Sequence, residues 1–199
     1  GSIIQNAANN FTTNGVITAS GVNNTSVSAV TSLPSGLGGS LTLISSQTAS
    51  ASSSISFTSG IDSTYRTYIF KFINLHPSTD GTPFHFNLST DSDSNYNVTK
   101  TTTVFNAYHN EADTNTILQY RSAQDLAQST SYQNIVDGDL GADNDQNACG
   151  YLYLFNPSST TYVKHFISNF NYMDTSNYSI NVYTAGYGNT TSAINAINF

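Results

Sequence analysis

The sequence predicts an all-β protein, a β-sandwich or jelly roll preceded by an extended N-terminal arm. Three observations carry this reading: period-two alternation in aromatic and β-branched residues, turn chemistry between the runs, and enough large rings to close a core. The clearest run is residues 65–91, YRTYIFKFINLHPSTDGTPFHFNLSTD. In it Tyr68, Phe70 and Phe72 alternate with Ile69, Lys71 and Ile73, and Phe84, Phe86 and Leu88 alternate with His85, Asn87 and Ser89. Between the two halves lie Pro77, Asp80-Gly81 and Pro83. Proline cannot donate to a ladder and Asp-Gly favours a reversal, so the segment reads as a β-hairpin whose aromatic faces supply one wall of the core.

The 199 residues suffice for one substantial domain plus an extension. Charged residues make up only 9% of the chain, far below the usual share of about 25%. Asn, Ser and Thr replace them, which gives a hydrated surface with weak fields, as in many extracellular and virion-surface β proteins. The net charge of -7 and five scattered cations (Arg66, Lys71, Lys100, Arg121, Lys164) exclude a sequence-independent grip on nucleic acid. No apolar run reaches the length of a membrane-spanning helix, so membrane insertion is not expected. Cys149 is the single cysteine, which rules out an intrachain disulfide. Gly1-Ser2 reads as an expression scar or the start of a fragment, and no signal peptide is evident.

Residues 1–40 are small, polar and nearly uncharged, with Phe11 the one aromatic. They bury too little to fold alone and read as an arm or linker for assembly or anchoring. Pro34-Ser35-Gly36-Leu37-Gly38-Gly39 forms a hinge into a sandwich domain over residues 41–199. Strand candidates follow in order: LTLIS (41–45), SISF (54–57), the hairpin, NVTKTTTVFNAY (97–108), ILQY (117–120), GYLYLF (150–155), YVKHFI (162–167), YSINVYT (178–184) and AINAINF (193–199). SAQDLAQS (122–129) is expected to make one or two helical turns, and DGDLGADNDQN (137–147) a polar loop. The strings YIFKFINLHPST and YLYLFNPSST each run from an aromatic strand into Asn and then Pro-Ser, which suggests one exit turn used twice.

The acidic loop places Asp137, Asp139, Asp143 and Asp145 close together. Calcium takes six to eight oxygen ligands, and such a loop supplies several, so these four are the candidate metal residues and calcium the candidate ion. The competing reading is a solvated loop whose Asp and Gly serve turns. A second segment, Asp91-Ser92-Asp93-Ser94-Asn95, matches the opening of a calcium loop, but Tyr96 stands where glycine is needed and Thr102 where glutamate is needed. His76, His85, His109 and His165 fit no zinc spacing. His109-Asn110-Glu111 invites an acid–base reading, against which a polar strand end is the stronger alternative. Glu111 and Asp113 share one short loop, a poor arrangement for flanking a glycosidic bond. No nucleophile elbow, phosphate loop or dinucleotide fingerprint occurs. Catalytic and cofactor-binding residues are therefore expected to be none. Seven Asn-x-Ser/Thr sequons, Asn87 and Asn97 among them, are what a chain so rich in these residues produces by chance.

Four longer strings carry a resemblance: LISSQTASASSSISFTSGIDSTYRTYIFKFINLHPSTDG, FNLSTDSDSNYNVTKTTTVFNAYHNEA, GYLYLFNPSSTTYVKHFIS and AGYGNTTSAINAINF. Over residues 41–199 the chain resembles virion-associated proteins of tailed bacteriophages of marine bacteria and related environmental viral sequences. The resemblance implies a non-enzymatic tail-fibre, head-fibre or capsid-decorating protein on the particle surface. Other virion proteins, further copies of the chain in a homotrimer and a host-surface glycan are the partners it implies. It also implies a further strand beyond Phe199, that is, truncation at the C-terminus. The alternative is a carbohydrate-binding, receptor-binding sandwich module using exposed tyrosines, with calcium at the acidic loop as its candidate assisting ion.

Overall fold

Alternating residues over the described part of the chain form ten antiparallel strands in two sheets. The computed structural model describes residues 41–199, apart from the side chain of Asp137; the arm expected over residues 1–40 lies outside the described residues. Strands β1 (Ser56–Phe57), β3 (Thr82–Ser89), β6 (Gln133–Leu140) and β10 (Ala196–Asn198) make a four-stranded sheet in the order β1-β10-β3-β6. Strands β2 (Thr67–Leu75), β4 (Lys100–Asn110), β5 (Thr116–Tyr120), β7 (Ala148–Phe155), β8 (Lys164–Met173) and β9 (Tyr178–Gly188) make a six-stranded sheet, β2-β7-β8-β9-β4-β5. The all-β sandwich is as the sequence predicts. This strand order establishes two packed sheets and no more specific jelly-roll connectivity.

The expected hairpin is not one. Strand β2 pairs with β7 across residues Thr67–Phe72, whereas β3 pairs with β10 and β6 in the other sheet. Residues 76–81 thus carry the chain from one layer to the other. The aromatic faces of β2 and β3 do not lie side by side on one wall; they oppose each other, with Phe72 and Phe84 in edge-to-face contact at 5.3 Å. The exit from β2 explains the departure. Asn74 takes φ 54°, and the register against β7 shifts between Phe72 and Leu75, which turns the backbone out of its ladder. At the far end of the crossing, Gly81 (φ 72°) donates to the Leu140 carbonyl at 3.1 Å and the Asp80 carboxylate accepts from the Ala142 N–H at 2.7 Å. Both contacts tie the turn to β6 and the segment after it, leaving no ladder between β2 and β3.

The core fills the space between the layers. Phe86, Leu88, Ile135, Leu152, Leu154, Phe166 and Phe170 are fully buried. Phe199 sits at the meeting point, its ring 4.8 Å from Phe72, 5.4 Å from Phe70, 5.9 Å from Phe84 and 6.3 Å from both Phe57 and Phe86. Rings at these separations add to the area they bury. Gly150 makes room for this packing, since a Cβ there would lie 2.5 Å from the Phe170 ring and from the Asn169 carbonyl.

The repeated exit string has a structural counterpart. YIFKF and YLYLF are neighbours in the six-stranded sheet, Ile69 opposite Tyr153 and Lys71 opposite Tyr151. Each strand leaves through a left-handed asparagine, Asn74 (φ 54°) and Asn156 (φ 47°). Asparagine tolerates that region better than other non-glycine residues, which is why it recurs. Two other expectations change. LTLIS forms no strand, and SISF contributes only the two residues of β1. SAQDLAQS is not helical, because its backbone bonds to β4: the Thr102 N–H donates to the Leu126 carbonyl at 2.9 Å and the Leu126 N–H to Thr102 Oγ1 at 2.8 Å.

Two of the five cations are inside the sandwich. Lys100 has no exposed surface; its Nζ donates to Asn87 Oδ1 and, at 2.9 Å, to the Val98 carbonyl, linking β4 to β3 of the opposite sheet. Lys164, also buried, donates to the Thr190 carbonyl at 3.1 Å. Burial disfavours the charged form, and it pushes the Lys100 ammonium from 10.5 down to about 7.

Two predictions follow from the packing. Phe199→Ala should cost about 3–5 kcal/mol of unfolding free energy by denaturant titration. Lys100 should also make stability rise with pH. Between pH 7 and 10.5 the unfolded chain holds a proton that the native Lys100 does not, while below pH 7 both states are protonated. The stability of wild type relative to Lys100→Met should thus be flat below pH 7 and climb above it, by at most about 1.4 kcal/mol per pH unit.

Candidate functional site

The β8–β9 turn and the end of β6 close a polar cleft between the two sheets. Asp174 begins that turn because its carboxylate accepts from the Ser176 and Tyr178 N–H groups at 2.9 and 2.8 Å, with Asn177 in the left-handed region (φ 62°). Leu140 bridges Asp174, and the Thr175 N–H donates to the Asp139 carbonyl at 3.1 Å, so the turn is pinned to the opposite sheet. The cleft that results has a volume of about 200 Å³. Asn106 and Tyr108 of β4, Gln119 of β5 and Arg121 line one side; Asp139, Asp174, Tyr178 and Ile180 line the other. Amides, phenols, a guanidinium and carboxylates together suit a small, hydroxyl-rich ligand. Asn106 is 2% exposed, and its Oδ1 accepts no hydrogen bond from any described group. A buried acceptor left without a partner carries a desolvation cost that a ligand hydroxyl would relieve.

Of the three candidate metal residues whose side chains are described, the structure brings Asp139 to this cleft and leaves Asp143 and Asp145 outside it. The expected polar loop is half strand: Asp137 and Asp139 belong to β6, while Asp143 and Asp145 lie in the exposed turn that follows. The side chain of Asp137 lies outside the described residues. The Asp143 backbone is used locally, its carbonyl accepting from the Gln146 N–H at 2.9 Å and facing His76 Nε2 at 3.1 Å. Among the described residues no group of three or more His, Cys, Asp or Glu side chains converges.

Asp91 organises a turn. Its Oδ1 accepts from Ser89 Oγ at 2.7 Å and the Asn95 N–H at 2.9 Å, and its Oδ2 from Asn95 Nδ2 at 2.8 Å. The bond from the Asn95 side chain, with those from Ser89 and the backbone, holds its carboxyl down at about 2. His109, near the exposed end of β4, meets Asp113 Oδ1 through Nε2 at 2.9 Å, so its partner at the surface is Asp113 and not the Glu111 of the acid–base reading. His85 packs edge-on against Tyr132 at 5.0 Å, and burial lowers its pKa. Asn87 has no exposure and is closed to glycosylation, while Asn97 is exposed.

A second surface is the outer face of the six-stranded sheet. One cross-strand row runs Lys71, Tyr151, Asn169, Tyr183, Phe105, Tyr120. Beside it lies the row Ile69, Tyr153, Ile167, Ala185, Thr103. Tyr183 and Phe105 stack at 5.0 Å, as do Tyr153 and Phe155 at 6.1 Å, so rings of this face support one another in pairs. Tyr151, Ile167, Tyr183, Phe105 and Tyr120 are each between 39% and 54% exposed. Lys71 is the single charge in the two rows. A face this broad, largely apolar and nearly uncharged is a candidate interaction surface.

Compared with known proteins, the chain matches no family model, no curated protein and no solved structure. Sequence reasoning missed Asn106, Gln119, Arg121, Asp174 and Tyr178. Asn106 falls on the buried side of the alternation in TTTVFNAY, a polar residue at an inward position, and that was the available signal.

Proposed function

We propose that this chain is a non-enzymatic structural component of a tailed-phage particle, a fibre or capsid-decorating protein on the particle surface. The nearly uncharged, aromatic outer face of the six-stranded sheet carries this reading. It lies on the six-stranded sheet and offers rings, amides and aliphatic side chains over several strands, a composition suited to contacts with other virion proteins. The strings resembling virion-associated proteins lie on the same sandwich. Residues 1–40 would serve anchoring or assembly. Gold-labelled antibody against the sandwich, applied to intact particles that encode the chain, should decorate their surface. Labelling only after particle disruption, or none in particles shown to lack the chain by mass spectrometry, would contradict the proposal.

A second reading, a carbohydrate-binding module that contacts a host-surface glycan, is favoured by the cleft around Asn106. Its volume lies below the ~300 Å³ lower bound of drug-sized ligand sites and suits a single sugar residue. In this reading Arg121, Asp139 and Gln119 hold ring hydroxyls. A glycan array with and without chelator tests it. Binding should fall about tenfold or more in Asn106→Leu, which removes one hydrogen-bonding group. Binding unchanged by that substitution places the glycan elsewhere, and no binding in either condition removes the reading.

A further inference from the structure

The described sandwich has four strand edges, and three of them are guarded against further pairing. Strand β1 is two residues long. Strand β6 contains Asp137, Gly138 (φ 84°) and Asp139, and its register against β3 shifts twice. Strand β2 carries Lys71 at its middle and a bulge at Asn74. Short length, charge and irregularity are the usual devices that keep sheet edges from adding strands. Strand β5 has none of them. Its sequence TILQY holds no charge, proline or glycine, and it runs in unbroken register against β4 from Phe105–Tyr120 to His109–Thr116. Leu118 is 74% exposed and Tyr120 54%.

The hydrogen-bond phase shows which backbone groups are open. The Arg121 N–H donates to the Val104 carbonyl at 2.8 Å, and the Asn110 N–H to the Asn115 carbonyl at 3.2 Å. Antiparallel ladders alternate inward and outward bonding, so Asn115, Ile117, Gln119 and Arg121 bond toward β4. Thr116, Leu118 and Tyr120 then direct their N–H and C=O groups away from the sheet, where no described strand pairs with them.

We infer that this edge docks a second copy of the chain, β5 against β5, in an antiparallel pair centred on Leu118. The segment is its own complement in that register. Leu118 lies opposite Leu118 of the other copy, covering the most exposed apolar side chain of the edge, and the small Thr116 lies opposite the ring of Tyr120. About six backbone hydrogen bonds form, two for each of three facing pairs. The two-fold axis stands perpendicular to the sheet. Both aromatic outer faces therefore fall on one side of a continuous twelve-stranded sheet, twice the six strands of one copy. This inference is independent of the virion reading.

Light scattering and hydrogen exchange on the full chain across the micromolar range test it. Wild type should approach twice its 21.3 kDa mass with rising concentration. The amides of Thr116, Leu118 and Tyr120 should gain protection in step, while those of Ile117 and Gln119 stay protected throughout. Leu118→Lys brings like charges together at the axis and should weaken association about tenfold or more. Ile73→Lys, on the guarded β2 edge at an equally exposed apolar residue (77%), should leave it intact. A chain that stays monomeric throughout overturns the inference. So does an oligomer of any size, a trimer included, whose mass and exchange pattern are unaffected by Leu118→Lys.

Discussion

Rings that face one another across the two layers hold β2 and β3 together, and the rest of the sandwich is arranged around that opposition. Phe72 and Phe84 belong to consecutive strands yet to different sheets. Once the chain crosses layers at residues 76–81, each strand must find its ladder elsewhere. Strand β2 takes β7, β3 takes β6 and β10, and the C-terminal Phe199 comes to lie among the rings of both sheets. The polar tie from Lys100 to Asn87 joins the layers at another point, where the depressed lysine pKa reflects how little water reaches it.

The strands were legible in the sequence, because period-two alternation reports which residues are half-buried. The pairing of the strands was not. A hairpin and a crossing between layers demand the same alternation in residues 65–91 and the same turn residues between. What separates them is the left-handed Asn74 and the tethering of Gly81 and Asp80 to the β6 end, contacts with partners some sixty residues away. The helical reading of residues 122–129 failed for a similar reason: the bonds to β4 outweigh a weak local preference. The acidic loop was read from composition, but β6 extends through Asp137 and Asp139 and separates them from Asp143 and Asp145.

Function was less legible than fold. The cleft around Asn106 is assembled from β4, β5, β6, the β8–β9 turn and β9, so no contiguous motif announces it. Its lining sets amides, phenols and a guanidinium beside carboxylates. The outer face shows a related economy. Its rings stack on each other in pairs, which fixes them as a surface for packing more than as open platforms. A low-charge chain of this kind has few charges with which to steer any partner, so the proposed contacts depend on shape, ring edges and backbone groups.

The crossing between layers is the central claim, and backbone NOE spectroscopy on the labelled protein tests it most directly. Hα–Hα contacts between facing residues of β2 and β7 are expected, together with ring contacts between Phe72 and Phe84 and no backbone contacts between β2 and β3. A ladder of Hα–Hα contacts linking β2 to β3 would show the hairpin and contradict the account.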